Sequence, residues 1–130
     1  MTRFACLAAA LALACAPALL LPIDQYRLVS IDGRSDLRGA GDEPATLQFD
    51  PVTTRAAGFA GCNRYGGAYQ QDDERLSFGP MMATKMACAE GMELESEYLD
   101  ALGKVTRWKI DDSGLTLETH DGRTLFFVTP

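Results

Sequence analysis

The sequence predicts a mainly β domain with one helix: a small antiparallel, barrel-like or strongly coiled sheet of about eight strands, with the helix packed on it. Three observations lead there. Short runs alternate apolar and polar residues, the period of a strand with one face buried. Turn signals built on Asp, Gly and Pro separate those runs at close intervals. Only one internal segment, Glu90 to Lys104, repeats apolar residues at helical spacing.

Taken in order, Tyr26-Arg27-Leu28-Val29-Ser30-Ile31 alternates and stops at Asp32-Gly33. Residues 33–45 hold Gly33, Gly39, Gly41 and Pro44 among charges and read as a loop. Thr46 to Phe49 is a second strand ended by Asp50-Pro51, and Thr54 to Ala60 is its hairpin partner. Tyr65 to Tyr69 and Arg75 to Phe78 flank the acidic turn Asp72-Asp73-Glu74, and Met81 to Ala87 is a further strand. In Glu90 to Lys104 there is no Pro or β-branched residue. Leu94, Tyr98 and Leu102 share one face, which should dock on the sheet, while Glu93, Glu97, Asp100 and Lys104 form the wet face. Glu90 and Glu93 suit the helix start, and Gly103 marks its end. Val105 to Ile110, Leu115 to Thr119 and Thr124 to Val128 complete the strands, joined at Asp111 to Gly114 and at Asp121-Gly122.

The first residues read as an export signal. Arg3 precedes an uncharged apolar run, Phe4 to Ala14, of signal-peptide length and too short to span a bilayer. A longer membrane helix would have to carry Pro17. Ala12-Leu13-Ala14-Cys15 is similar to a bacterial lipobox, which makes Cys15 the lipidation site; ordinary cleavage after Ala16 or Ala18 is the alternative. The organisation expected is a signal peptide over 1–14, a lipidated or flexible segment over 15–24, and one domain over 25–130. That places the protein in the cell envelope, facing the periplasm from the outer membrane if lipidated and otherwise secreted or periplasmic. The chain carries a net charge of -6. With no Lys/Arg stripe this argues against nucleic acid as a partner.

Beyond the N-terminus the only cysteines are Cys62 and Cys88. In an oxidising compartment they have each other, and a disulfide would close a loop worth ~3.5 kcal/mol by chain entropy. Their surroundings are distinctive: Gly58-Phe59-Ala60-Gly61-Cys62-Asn63-Arg64-Tyr65-Gly66-Gly67-Ala68-Tyr69, then Leu76-Ser77-Phe78-Gly79-Pro80 and Thr84-Lys85-Met86-Ala87-Cys88. With the acidic helix and the strand holding Trp108, this pattern resembles the META domain family of small, HslJ-like bacterial envelope proteins, over about Tyr26 to Val128. Tyr26 stands where members often carry tryptophan. The resemblance implies a compact barrel-like domain, often with a signal or lipid anchor, linked to heat induction, drug tolerance, secretion and virulence. It implies no reaction.

The residues themselves allow two readings of the motif. Structurally, its glycines permit a tight backbone corner, Asn63 holds a turn through local backbone, and the disulfide pins the whole. Functionally, Arg64, Tyr65 and Lys85, with Tyr69 nearby, form a surface for an anion or a partner. Catalysis has little to work with. His120 is the one histidine and sits at a turn; no serine has a nucleophile-elbow context; Cys62 and Cys88 lack metal or redox spacing. The acidic turns lack calcium-loop spacing, and Met81, Met82, Met86 and Met92 read as core or groove filling. No metal or cofactor is expected. The function expected is that of a monomeric, non-enzymatic envelope protein supporting stress or drug tolerance through an unidentified protein or envelope partner. A small-ligand carrier using the barrel interior is the alternative.

Overall fold

The computed structural model describes residues 20–130. The segment expected to be a signal peptide and Cys15 lie outside them. The strands are β1 (Gln25–Ile31), β2 (Thr46–Asp50), β3 (Arg55–Phe59), β4 (Arg64–Asp72), β5 (Arg75–Phe78), β6 (Met82–Ala83), β7 (Val105–Asp111), β8 (Gly114–Thr119) and β9 (Thr124–Val128). One helix, α1 (Met92–Leu102), lies between β6 and β7, and a single 3-10 turn, Ala40–Asp42, sits in the loop after β1.

All pairings are antiparallel. The order β3-β2-β1-β9-β8-β7-β5-β4 returns to β3, so eight strands close into a barrel. The first strand lies between the second and the last: Arg27 is opposite both Thr46 and Val128. β6 is an extra two-residue strand that continues the place of β5 beside β4, with Met82 opposite Gly66 and Ala83 opposite Tyr65. The β5–β7 seam is the slightest, with one registered pair, Arg75 and Arg107. Trp108 reinforces it: its backbone N–H donates to Glu74 O, and its indole N–H donates to Asp73 O at 2.6 Å.

Period-two alternation directs Leu47, Phe49, Leu115, Leu117, Leu125 and Phe127 inward. Phe49 meets Tyr26 and Tyr69 edge-on and stacks with Phe78. Leu94, Tyr98, Ala101 and Leu102 of α1 join the same core. Each such buried side chain contributes roughly 1.5–3 kcal/mol, so two of them match the disulfide. The core carries the fold, and the disulfide fastens one part of it.

Two expectations shift at their edges. The helix starts at Met92 rather than Glu90, because Gly91 adopts φ +101°, outside helical geometry. A Cβ on Gly91 would stand 2.3 Å from the carbonyl oxygen of Gly61, so side chains are excluded there twice over. The strand expected over Met81 to Ala87 is reduced to Met82–Ala83, since beyond it Asn63 diverts the chain.

Candidate functional site

The distinctive motif folds into one corner, where the start of β4, the segment after β6 and the N-terminal half of α1 meet. Asn63 is its centre and is 2% exposed. Its Oδ1 accepts from the Thr84 hydroxyl and the Met86 N–H, at 2.9 and 2.7 Å. Its amide Nδ2 donates to Met86 O and to Glu95 Oε2, at 3.2 and 2.8 Å. Glu95 Oε1 in turn accepts from the backbone N–H groups of Cys62 and Asn63. The expectation of a local turn contact is therefore corrected: Asn63 reaches across 21 to 32 residues of chain.

Beside this hub, Cys62 and Cys88 are bonded, with an S–S distance of 2.03 Å. Two independent ties thus hold residues 84–88 to the start of β4. Among the described residues, every buried side-chain nitrogen or oxygen has a hydrogen-bond partner. The site's polar capacity is spent inside the protein, as expected for a buried network that rigidifies its surroundings.

The three residues expected to form a surface separate. Arg64 and Lys85 are exposed. Tyr65 is not: it is 4% exposed, because strand alternation turns it inward from Arg64. Its hydroxyl lies 2.7 Å from Thr46 O and 2.7 Å from the Tyr98 hydroxyl, and the two rings meet edge-on. Burial pushes both phenols above their ordinary pKa, so both stay neutral. Tyr69 also faces the core. Tyr65 is therefore corrected from a partner-facing residue to part of the joint between barrel and helix.

The methionines divide too. Met81 packs against the core, whereas Met82, Met86 and Met92 are exposed, at 76%, 58% and 42%. These three fill no core, contrary to expectation. In the sequence Glu95 lies between the wet-face acids Glu93 and Glu97; its one signal of burial is its place one residue after Leu94 on the docking face.

Two open depressions mark the outside. One, about 990 Å³, lies between α1 and the loop after β1, with Arg34 paired to Glu97 and Arg123 to Asp100 on its walls. The other, about 470 Å³, lies over the ends of β4 and β5 beside Gln70, Asp72, Arg75 and Ser77, with Thr106 of β7 at its edge. Inside the barrel, Ile31, Leu47, Leu115, Leu117, Leu125 and Phe127 have no surface that water could touch.

A family model for the META domain matches residues 20–130, which contain the whole corner and barrel. The chain belongs to the META domain family. Among solved structures, this META domain is similar to a protein from Burkholderia xenovorans determined by NMR, with 32% identity, a TM-score of 0.69, and coverage of 92% of this chain and 94% of that one. A second NMR structure, 23% identical, has a TM-score of 0.62 over 82% of this chain and 88% of the other. A DUF4847 family protein from Bacteroides vulgatus, 15% identical, has a TM-score of 0.57 over 81% and 91%. These last two likenesses concern the fold alone. No curated protein matches significantly.

Proposed function

We propose that this META domain is a non-enzymatic protein of the cell envelope that supports stress or drug tolerance by holding an exposed cationic surface for a protein or envelope partner. One observation carries the reading. The buried part of the motif, Asn63, Glu95 and the disulfide, consumes its bonding groups in fixing the backbone, while Arg64 and Lys85 stand in solvent on that fixed backbone. A disulfide suits an oxidising, extracytoplasmic setting. The lipobox-like Ala12-Leu13-Ala14-Cys15 adds the proposal of a lipid anchor on Cys15, with the outer membrane as destination. The carrier alternative needs room within the barrel, and the sealed side chains there count against it.

The test compares cells carrying the wild-type chain, an Arg64→Gln/Lys85→Gln variant and a Cys15→Ser variant, scored for survival of heat and drug exposure. The double variant is expected to keep the wild-type melting temperature and lose protection. The Cys15→Ser chain is expected to lose incorporation of a fatty-acid analogue. Full protection by the folded double variant would reject the surface. A substrate turned over by purified protein, with the turnover lost on a point change, would reject the non-enzymatic reading.

A further inference from the structure

We infer that the outer face of β3, β4 and β6 docks flat on an anionic phospholipid surface; this rests on the reading of Arg64 and Lys85 as a partner surface and names the partner. The charge distribution points there first. Among the described residues Arg34, Arg38, Lys104, Arg107, Lys109 and Arg123 are ion-paired to carboxylates. Within the described residues Arg55, Arg64 and Lys85 make no ion pair, and all three are exposed. Arg27 and Arg75 are also unpaired, but they stand on β1 and β5, away from this group.

The register gathers the three. Arg55, Ala57 and Phe59 alternate outward on β3, and Arg64, Gly66 and Ala68 do so on β4. Phe59 is opposite Arg64, and Ala57 is opposite Gly66. A guanidinium nitrogen of Arg55 lies 4.0 Å from where a Gly66 Cβ would be, so Arg55 leans across β4. On the far side of Gly66 is Met82. Thr84 N–H donates to Arg64 O, which sets Lys85 and Met86 just beyond Arg64. The face thus sets Arg55 and Arg64 beside Met82, and the exposed Lys85 and Met86 follow in the segment that continues from β6.

That composition selects a lipid surface over an acidic protein. Protein hot spots are aromatic or arginine anchors seated in pockets; the larger depression lies beside α1, and the smaller touches β4 only at Gln70 to Asp72, past the end that carries Arg64. Here flexible apolar side chains project outward beside cations. At a bilayer such side chains enter the headgroup–acyl boundary while Lys and Arg meet phosphates. The molecule's net charge of -6 would repel an anionic surface, but charges beyond about 8 Å are screened at physiological salt. Locally, Arg55, Arg64 and Lys85 outnumber Asp50, which is opposite Arg55 on β2, and Asp72, at the far end of β4. The buried hub has a purpose in this arrangement: it clamps Thr84 and the Met86 backbone, so that Lys85 and the Met86 side chain are presented rather than left to flex.

The probe is Met82→Trp in the chain processed to residues 15–130 and carrying Cys15→Ser, mixed with vesicles of phosphatidylethanolamine and brominated phosphatidylglycerol, or of brominated phosphatidylcholine alone. The emission of the Cys15→Ser chain is subtracted. The expected result is quenching of the added indole by the anionic vesicles only, weakened by salt. Adding Arg55→Gln, Arg64→Gln and Lys85→Gln should weaken the affinity on the order of a hundredfold, near fivefold per cation. Lys109→Gln should change it little. Absence of quenching, equal quenching by phosphatidylcholine, or quenching indifferent to the triple variant would overturn the proposal. If the triple variant also loses stress protection while the anionic vesicles do not quench the added indole, the surface reading stands and the lipid is rejected in favour of an acidic protein partner.

Discussion

Asp121 shows how a single side chain can gather a turn. Its Oδ1 accepts from the Thr119 hydroxyl and from Arg123 Nε, and its Oδ2 from Arg123 Nη2. These bonds, the Thr119 hydroxyl first and Arg123 next, hold its carboxyl well below the ordinary carboxylate range. A lowered folded pKa stabilises the folded state fully above the unfolded value of 3.8, and that stabilisation fades as pH falls through the folded value. Asp121→Asn should therefore lower the melting temperature at pH 7, with the two melting curves converging as pH is taken from about 5 towards 2. Melting temperatures recorded across that range check it. A gap that stays constant throughout would show that the ionised bonds are not its cause. This turn was legible in the sequence as Asp121-Gly122, but the role of Arg123 was not, because nothing local says which acid an arginine will choose.

At the scale of elements, the strap between β6 and α1 has two fastenings of different kinds. Removing the disulfide by Cys88→Ala restores chain entropy to the unfolded state, at a cost of about 3.5 kcal/mol. Removing Glu95 by Glu95→Ala leaves the buried N–H groups of Cys62 and Asn63 without an acceptor, at about 1–3 kcal/mol each. The two losses should be of comparable size in urea unfolding at pH 7, and a Glu95→Ala variant within about 0.5 kcal/mol of wild type would discredit the hub. Sequence reasoning found one fastening and missed the other for a plain reason. Cysteines left without other partners announce their pairing. An asparagine and a glutamate 32 residues apart do not. The same limit explains Tyr65: it was grouped with Arg64 and Lys85 as a surface, whereas alternation along β4 turns it inward. The strands and the helix were readable because periodicity is a local signal. The closure of β3 on β4 and the short β5–β7 seam were not, since pairing partners are set by the whole chain.

Over the whole molecule, the consequence of β1 lying between β2 and β9 is one of timing. Hairpins such as β2–β3 and β7–β8 can form as soon as their residues exist. The barrel cannot: Leu28 pairs with Phe127 and Ile31 with Leu125, a span of nearly the full domain. Non-local closure of this kind is slow and must await the last strand. A chain still leaving the ribosome therefore has no native state to fall into, and it remains threadable until Val128 is made. A chain ending at Asp121, lacking β9, should stay unfolded by circular dichroism and regain the barrel when a peptide of residues 122–130 is supplied; a folded truncated chain would contradict this. If the domain is exported as proposed, a route that passes only extended polypeptide would meet a chain whose strand order delays folding until synthesis is complete.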